Sequence, residues 1–375
     1  VITKKLLKKQ EEKEMFKGQK IAVFGLLFLA GFVFAFPGTA AERNDSLWEE
    51  LDIVPMPKEI ELTGRKIPIA SSSVMVIGDN ASEQARIGAD WLNRKITESG
   101  GTPLPVVSET EDVSKGLKII IGSRATSSLI RKSAESGFLD FTPGKPGKRG
   151  YLIRMRKKGK SQEIFLAGVD NIGTLYACVT LAELIQKEGN NIVIRGVSVT
   201  DWPDFLYVSL DGHGFSGSTA MPELHNLFSA AKSVPTEAFR KKYLEAFKAR
   251  YDFLLRRKVS ILTYYTWSHW MRNVPKESRM LIREAIEYGK QRGIGVLIYA
   301  EKPYAAFVRD HPDVERRCLP PGREKEWIRC WSMDELRKER AADMAQLMKD
   351  LGITDVGFHD TDTGGLDNPA RWNER

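Results

Sequence analysis

The sequence predicts an α/β protein built from a small mixed α/β domain followed by a (β/α)8 TIM-type barrel that stops after its fourth strand. Three observations predict it. After Trp202 and Pro203, apolar strand-like runs alternate with long amphipathic runs, the rhythm of parallel strands joined by crossover helices. Each of those strands ends in polar or aromatic residues, as at the active face of a barrel. Before residue 200 the strands are short, and two of them flank a basic turn, which marks a hairpin within a mixed sheet.

The elements follow in chain order. Residues 1–20 hold seven lysines and three glutamates, and "IAVFGLLFLAGFVFAF" then gives sixteen uncharged, mostly apolar residues. Pro37 breaks that run, and "GTAA" supplies small residues near Ala41. This pattern predicts an export signal over 1–41, with an uncleaved membrane anchor as the alternative. Either reading places the rest of the chain outside the cytoplasm.

Residues 48–200 form the first domain. "SSVMVIG" and "GLKIIIG" are strands, and "ASEQARIGADWLNRKITESGG" between them is a helix ended by Gly100 and Gly101. "GYLIRMR" and "EIFLAG" flank "KKGKSQ" as the hairpin. "DNIGTLYACVTLAELIQKEGN" predicts a second helix, capped by Asp170 or Asn171, and "NIVIRGVSV" closes the domain. Nothing in this domain has the look of catalysis.

Residues 201–375 carry four strands with three helices between them. The strands are "FLYVSLDG", "VSILTYYTW", "IGVLIYAE" and "ITDVGFHD". The helices are "PTEAFRKKYLEAFKARYDFLLRRK", "KESRMLIREAIEYGKQRG" and "SMDELRKERAADMAQLMKDLG", the last with a Ser332–Glu335 capping box. A doubly wound sheet is the rival fold, but no glycine-rich phosphate loop follows the first strand. A barrel takes about 250 residues, and 175 follow residue 200. The reading is therefore of a C-terminally truncated chain, with a short chain that dimerises as the alternative.

Charge and cysteines exclude several classes. The formal charge is +8, but +4 of it lies in residues 1–20 and the rest is spread among both signs. No nucleic-acid footprint results. Cys178 sits in an apolar helical pattern and reads as a buried thiol. Cys318 and Cys330 flank "LPPGREKEWIR", which a disulfide could close in an oxidising compartment. No cysteine pair has zinc-site spacing, and no metal or organic cofactor is indicated.

Chemistry is expected at the strand ends. These offer Asp211 and Gly212, then Trp267 and His269, then Glu301, then His359, Asp360 and Asp362. Carboxylates beside aromatics suit glycoside hydrolysis, which needs one acid for the leaving oxygen and a second group at the oxocarbenium-like carbon. Aromatic faces give sugar rings an apolar platform. Asp360 and Asp362 are two apart, so an extended strand points both the same way. Two close acids push their pKa values apart. Each feature also has a bland reading. The Asp-x-Asp pair can cap a loop or hold a metal, the aromatic cluster can be packing, and Glu301 can pair with a loop.

The order of elements resembles known enzymes. "IVPMPKEIELTG" at 53–64 resembles the opening of the non-catalytic N-terminal domain of family 20 glycoside hydrolases, the β-N-acetylhexosaminidases. "AGVDNIGTLYACVTLAELIQ" at 167–186 looks like that domain's final helix, and "VSVTDWPDFLYVSLDG" at 197–212 like its junction into the barrel. "CWSMDELRKERAADMAQLMKDLGITDVGFHDTD" resembles the approach to the acidic pair in family 84. The resemblance implies substrate-assisted retaining hydrolysis, with Asp360 orienting the 2-acetamido group and Asp362 as acid/base. The families' acids are adjacent, whereas Thr361 stands between these two. Two other functions stay open. One is an α-glucuronidase-like barrel glycosidase sharing the N-terminal domain, in which Glu301 gains importance. The other is a non-catalytic carbohydrate binder or degenerate fragment. The expected partner is a carbohydrate, with a membrane only if residues 1–41 are retained.

Overall fold

Alternating buried residues lay out the first sheet. The computed structural model describes residues 50–111, 116–159, 161–210, 234–267, 275–301 and 334–357. Strands β1 (Glu59–Pro68), β2 (Val74–Ile77), β3 (Val106–Ser108), β4 (Gly116–Ser123), β5 (Tyr151–Lys158), β6 (Ser161–Gly168), β7 (Ile185–Glu188) and β8 (Asn191–Asp201) form one mixed sheet. Its order is β1-β8-β5-β6-β4-β2-β3, with β7 also on β8. β3, β2, β4 and β6 run parallel, and β5 meets β6 antiparallel, as the basic turn predicts. Gly159 in that turn has φ +61°, a conformation that side chains with a Cβ resist.

Both faces of this sheet are covered. On one face Val74, Val76, Ile120, Leu152, Phe165 and Ala167 pack with Ile130 of helix α2 (Ser128–Glu135) and with Leu139. The alternate positions Met75, Ile77, Ile119, Ile121, Ile164 and Leu166 are equally buried, toward helices α1 (Glu83–Glu98) and α3 (Asn171–Ala182). α3 is buried on all sides from Gly173 to Ala182, which explains its nearly uniform apolar sequence. Gly88 lets α1 approach it, because a Cβ there would stand 2.6 Å from the Cys178 sulfur. Cys178 is a buried free thiol, as expected, and burial pushes its pKa up.

The second sheet consists of β9 (Ser209–Leu210), β10 (Ile261–Trp267), β11 (Gly295–Glu301) and β12 (Asp355–Gly357). Its order is sequential, β9-β10-β11-β12, and each pair is parallel. Helices α4 (Glu237–Arg256), α5 (Lys276–Gln291) and α6 (Asp334–Leu351) lie between successive strands in the chain. α4 packs on α5, and α5 on α6. Phe239, Tyr243, Phe247 and Tyr251 recur every fourth residue of α4, so their rings line one face, with centroids 6.2, 4.5 and 6.4 Å apart. Four strands among the described residues make α/β elements of barrel-like order; they do not make a closed barrel.

The structure departs from the expected elements in places. The helix predicted from Asp170 toward Gly189 stops at Ala182, and Ile185–Glu188 is strand β7, turned back onto β8 through Gly189 and Asn190. Asp170 is the cap, accepting from the Gly173 amide at 2.8 Å. β1, β3 and α2 were not expected. The Ser332 cap, the Cys318–Cys330 loop and the export segment 1–41 lie outside the described residues. Among those described, no helix is long and apolar enough to cross a membrane.

Candidate active site

The parallel register decides which residues can meet. β10 pairs with β11 from Ile261 opposite Gly295 to Trp267 opposite Glu301. β12 continues it, with Gly357 opposite Tyr299. Trp267 and Glu301 therefore close adjacent strands at the same level, on the C-terminal edge of the sheet. Parity of the register places positions 209, 261 and 263 on one face with 295 and 297. The other face holds Leu262 and Val296, both buried. On the first face the Ser209 and Thr263 hydroxyls hydrogen-bond at 2.6 Å, tying β9 to β10.

The expected site residues cluster in sequence around this edge. Trp267 and Glu301 are the last residues of β10 and β11. Asp211 and Gly212 follow β9 directly, His269 follows β10 by two residues, and His359, Asp360 and Asp362 follow Gly357 closely. Those six lie outside the described residues. No group of acids, histidines and cysteines able to hold a metal occurs among the described residues.

The opposite edge of the sheet is occupied by the first domain. Lys258, between α4 and β10, reaches Asp201 Oδ2 at 2.6 Å and the Tyr151 hydroxyl at 2.8 Å. Tyr151 donates to Asp201 Oδ2 at 3.0 Å and bonds Thr180 at 2.7 Å, and the Lys58 amide donates to Asp201 Oδ1 at 3.2 Å. Both charged side chains are only 9% exposed. Burial pulls the Lys258 pKa down while Asp201 draws it back up. Burial and the neighbouring Asp201 charge drive the Tyr151 pKa well above the ordinary phenol value. Breaking such a pair strands a charge, at a cost of about 3–5 kcal/mol. Around it, Arg94 meets Asp252 at 2.7 Å, and Arg256 grips Glu183 with two bonds of 2.9 and 2.8 Å.

This cluster is the feature that the sequence reading missed. "LLRRKVS" looks like a solvated basic helix end, and Lys258 differs from its two neighbours only through tertiary packing. Its φ of +54° turns the chain sharply before β10. Asp201 stands in the "TDWPD" junction, which the sequence marks as the passage into the second sheet without revealing a charge partner.

The first domain also has a C-terminal strand edge, and there a protein carboxylate fills the position that suits an anion. Glu109 accepts from the Ser127 hydroxyl at 2.8 Å and from the Ser128 and Leu129 amides at 3.0 and 3.2 Å, at the N-terminus of α2. That helix end is thereby satisfied from within.

A mixed α/β domain thus sits against the N-terminal edge of a sequentially ordered parallel sheet. Residues 50–202 match the family model described as Glycosyl hydrolase family 20, domain 2. Among solved structures, a beta-N-acetylhexosaminidase from Bacteroides fragilis aligns at TM-score 0.53 and 15% identity, over 86% of this chain and 59% of that one. The chitobiase of Flavobacterium johnsoniae aligns at 0.50 and 15%, over 88% and 47%. The protein CpGH84D aligns at 0.53 and 12%, over 83% and 44%. These likenesses show a shared fold, and the chain spans about half the length of the structures it matches. No curated protein matches the chain. Residues 50–202 are thus similar to the second domain of glycosyl hydrolase family 20, and the chain as a whole shares its fold with these solved structures.

Proposed function

We propose that this chain belongs to an exported glycoside hydrolase of β-N-acetylhexosaminides, working by substrate-assisted retention. The observation that carries the reading is the register that sets Trp267 beside Glu301 and Gly357 beside Tyr299. β12 thus ends beside β11, and in sequence it is followed closely by His359, Asp360 and Asp362, which supports reading those acids as the site. Strands stepping always the same way place right-handed crossovers on one face, and the other face is then best covered by closure into a barrel. The family 20 domain supports the same class. Export is supported by the basic and apolar pattern of residues 1–41.

In this reading the substrate's acetamido oxygen attacks the anomeric carbon as the glycosidic C–O bond breaks. Asp362 gives its proton to the departing oxygen. Asp360 hydrogen-bonds the acetamido N–H and holds the oxygen in line. Asp362 then takes a proton from the water that attacks the anomeric carbon and restores the acetamido group. Trp267 offers a platform for the sugar, and Asp211, His269, Glu301 and His359 contact its hydroxyls.

Side-by-side turnover of aryl β-N-acetylglucosaminide and aryl α-glucuronide tests the reading, using the full reading frame that encodes this chain. Cleavage of the acetamido substrate alone is the expected result. Cleavage of the glucuronide alone would move the chemistry toward Glu301. Binding of sugars without turnover of either would leave a carbohydrate-binding protein.

A further inference from the structure

The described contacts between the first domain and the parallel sheet gather at one edge. Lys258 precedes β10, Gly293 precedes β11, and Arg256 ends α4. A Cβ on Gly293 would stand 3.2 Å from two carbons of Ile172, so the backbone of this turn lies directly on the first domain. The Gln84 side chain donates to the Gln291 carbonyl at 3.1 Å, and the Arg149 guanidinium to the Leu206 carbonyl at 2.9 Å. Helix C-termini and strand N-termini share one edge of a β/α unit, which is the edge away from Trp267 and Glu301.

At the centre is a cluster in which the hydrogen-bonding groups fit one another. The Tyr151 hydroxyl donates to Asp201 and accepts from Lys258 and Thr180. Both oxygens of Asp201 are engaged. The two domains thus hold complementary halves of one buried charge pair, and each half is unfavourable alone.

We infer that the first domain is a fixed floor for the parallel sheet, locked by the Lys258–Asp201–Tyr151 cluster, so that the two unfold as one unit. The alternative is two bodies joined by a linker near Pro203, each melting on its own. The floor keeps the N-terminal edge closed, and ligands reach the sheet only from the opposite edge, about 20 Å away along seven-residue strands.

Calorimetry and site-resolved hydrogen exchange on the full chain test this. The wild-type protein should melt in one transition. Asp201→Asn should split it, with amides of β10 and β11 exchanging at least ~100-fold faster while β4 and β6 keep their protection. Arg256→Ala, which removes an exposed bridge, should change exchange less than ~5-fold. If Asp201→Asn yields no folded protein, Tyr151→Phe carries the test, with ~10-fold faster exchange confined to β10 and β11. Two transitions in the wild type, or exchange raised equally in both sheets or in neither, would overturn the inference.

Discussion

Gly289 is the position where the packing of the second sheet's helices is most exposed to a single atom. It lies buried in α5 against the ring of Tyr251, which is 0% exposed. A Cβ at 289 would stand 2.6 Å from Tyr251 Cζ and 2.7 Å from Cδ1, and closer still to Cε1. Carbon atoms rest about 3.5–4 Å apart, so α4 and α5 must separate by roughly 1 Å. The ring has little freedom to swing, with Phe247 and Tyr288 centred 6.4 and 6.3 Å away. Overpacking costs about 1–3 kcal/mol, and a clash with a held ring belongs in the upper half of that range. Alanine returns about 1 kcal/mol of helix propensity over glycine. Gly289→Ala should therefore be destabilised by about 1–2 kcal/mol, read as a lower urea midpoint at unchanged slope. A variant as stable as the wild type would refute the close α4–α5 contact.

Two further predictions concern pH. Burial pushes the Glu109 pKa up, but hydrogen bonds from Ser128, Ser127 and Leu129 outweigh it and hold the carboxyl below its ordinary value. Its contribution is therefore present above the ordinary glutamate range and lost as pH falls through the folded pKa. Glu109→Gln should cost about 1 kcal/mol at neutral pH and less in acid, and an equal difference at both would count against the cap. At the alkaline end, burial drives the phenols of Tyr151 and Tyr243 well up and those of Tyr176 and Tyr288 to about 12. An unfolded chain ionises its phenols near pH ~10, so stability is intact below that pH and falls as pH rises through the folded values. Phenolate absorbance should rise in two waves, the second coinciding with unfolding. A single wave near the ordinary phenol value would contradict the burial.

Much of the fold was legible because periodicity reports burial. α1, α4 and α5 carry stripes on one face, and β10 and β11 are apolar runs bounded by turn residues. The overextended helix after Asp170 shows where periodicity fails. α3 is apolar all round, so no stripe marked its end, and the signal for its exit was the Gly189–Asn190 turn between β7 and β8. β1 escaped notice because it is an edge strand with mostly exposed residues, and its pairing shifts between Leu62 and Lys66. α2 has only eight residues, and Glu109, in the turn after β3, completes its cap. The ends of β10 and β11 could be read from the sequence, and those strands end at Trp267 and Glu301. The Lys258–Asp201 pair could not be read, since 57 residues separate partners whose types are common on surfaces.

The central claim is that acids following β12 perform glycoside hydrolysis. Its most direct test is kcat/KM for an aryl β-N-acetylglucosaminide, comparing the protein of the full reading frame with its Asp362→Asn variant, both checked for folding. The account predicts turnover in the parent and a fall of about 100-fold or more in the variant, the usual worth of a positioned acid/base. Turnover that is indifferent to the substitution would contradict the account and leave Asp360 and Asp362 as a structural pair.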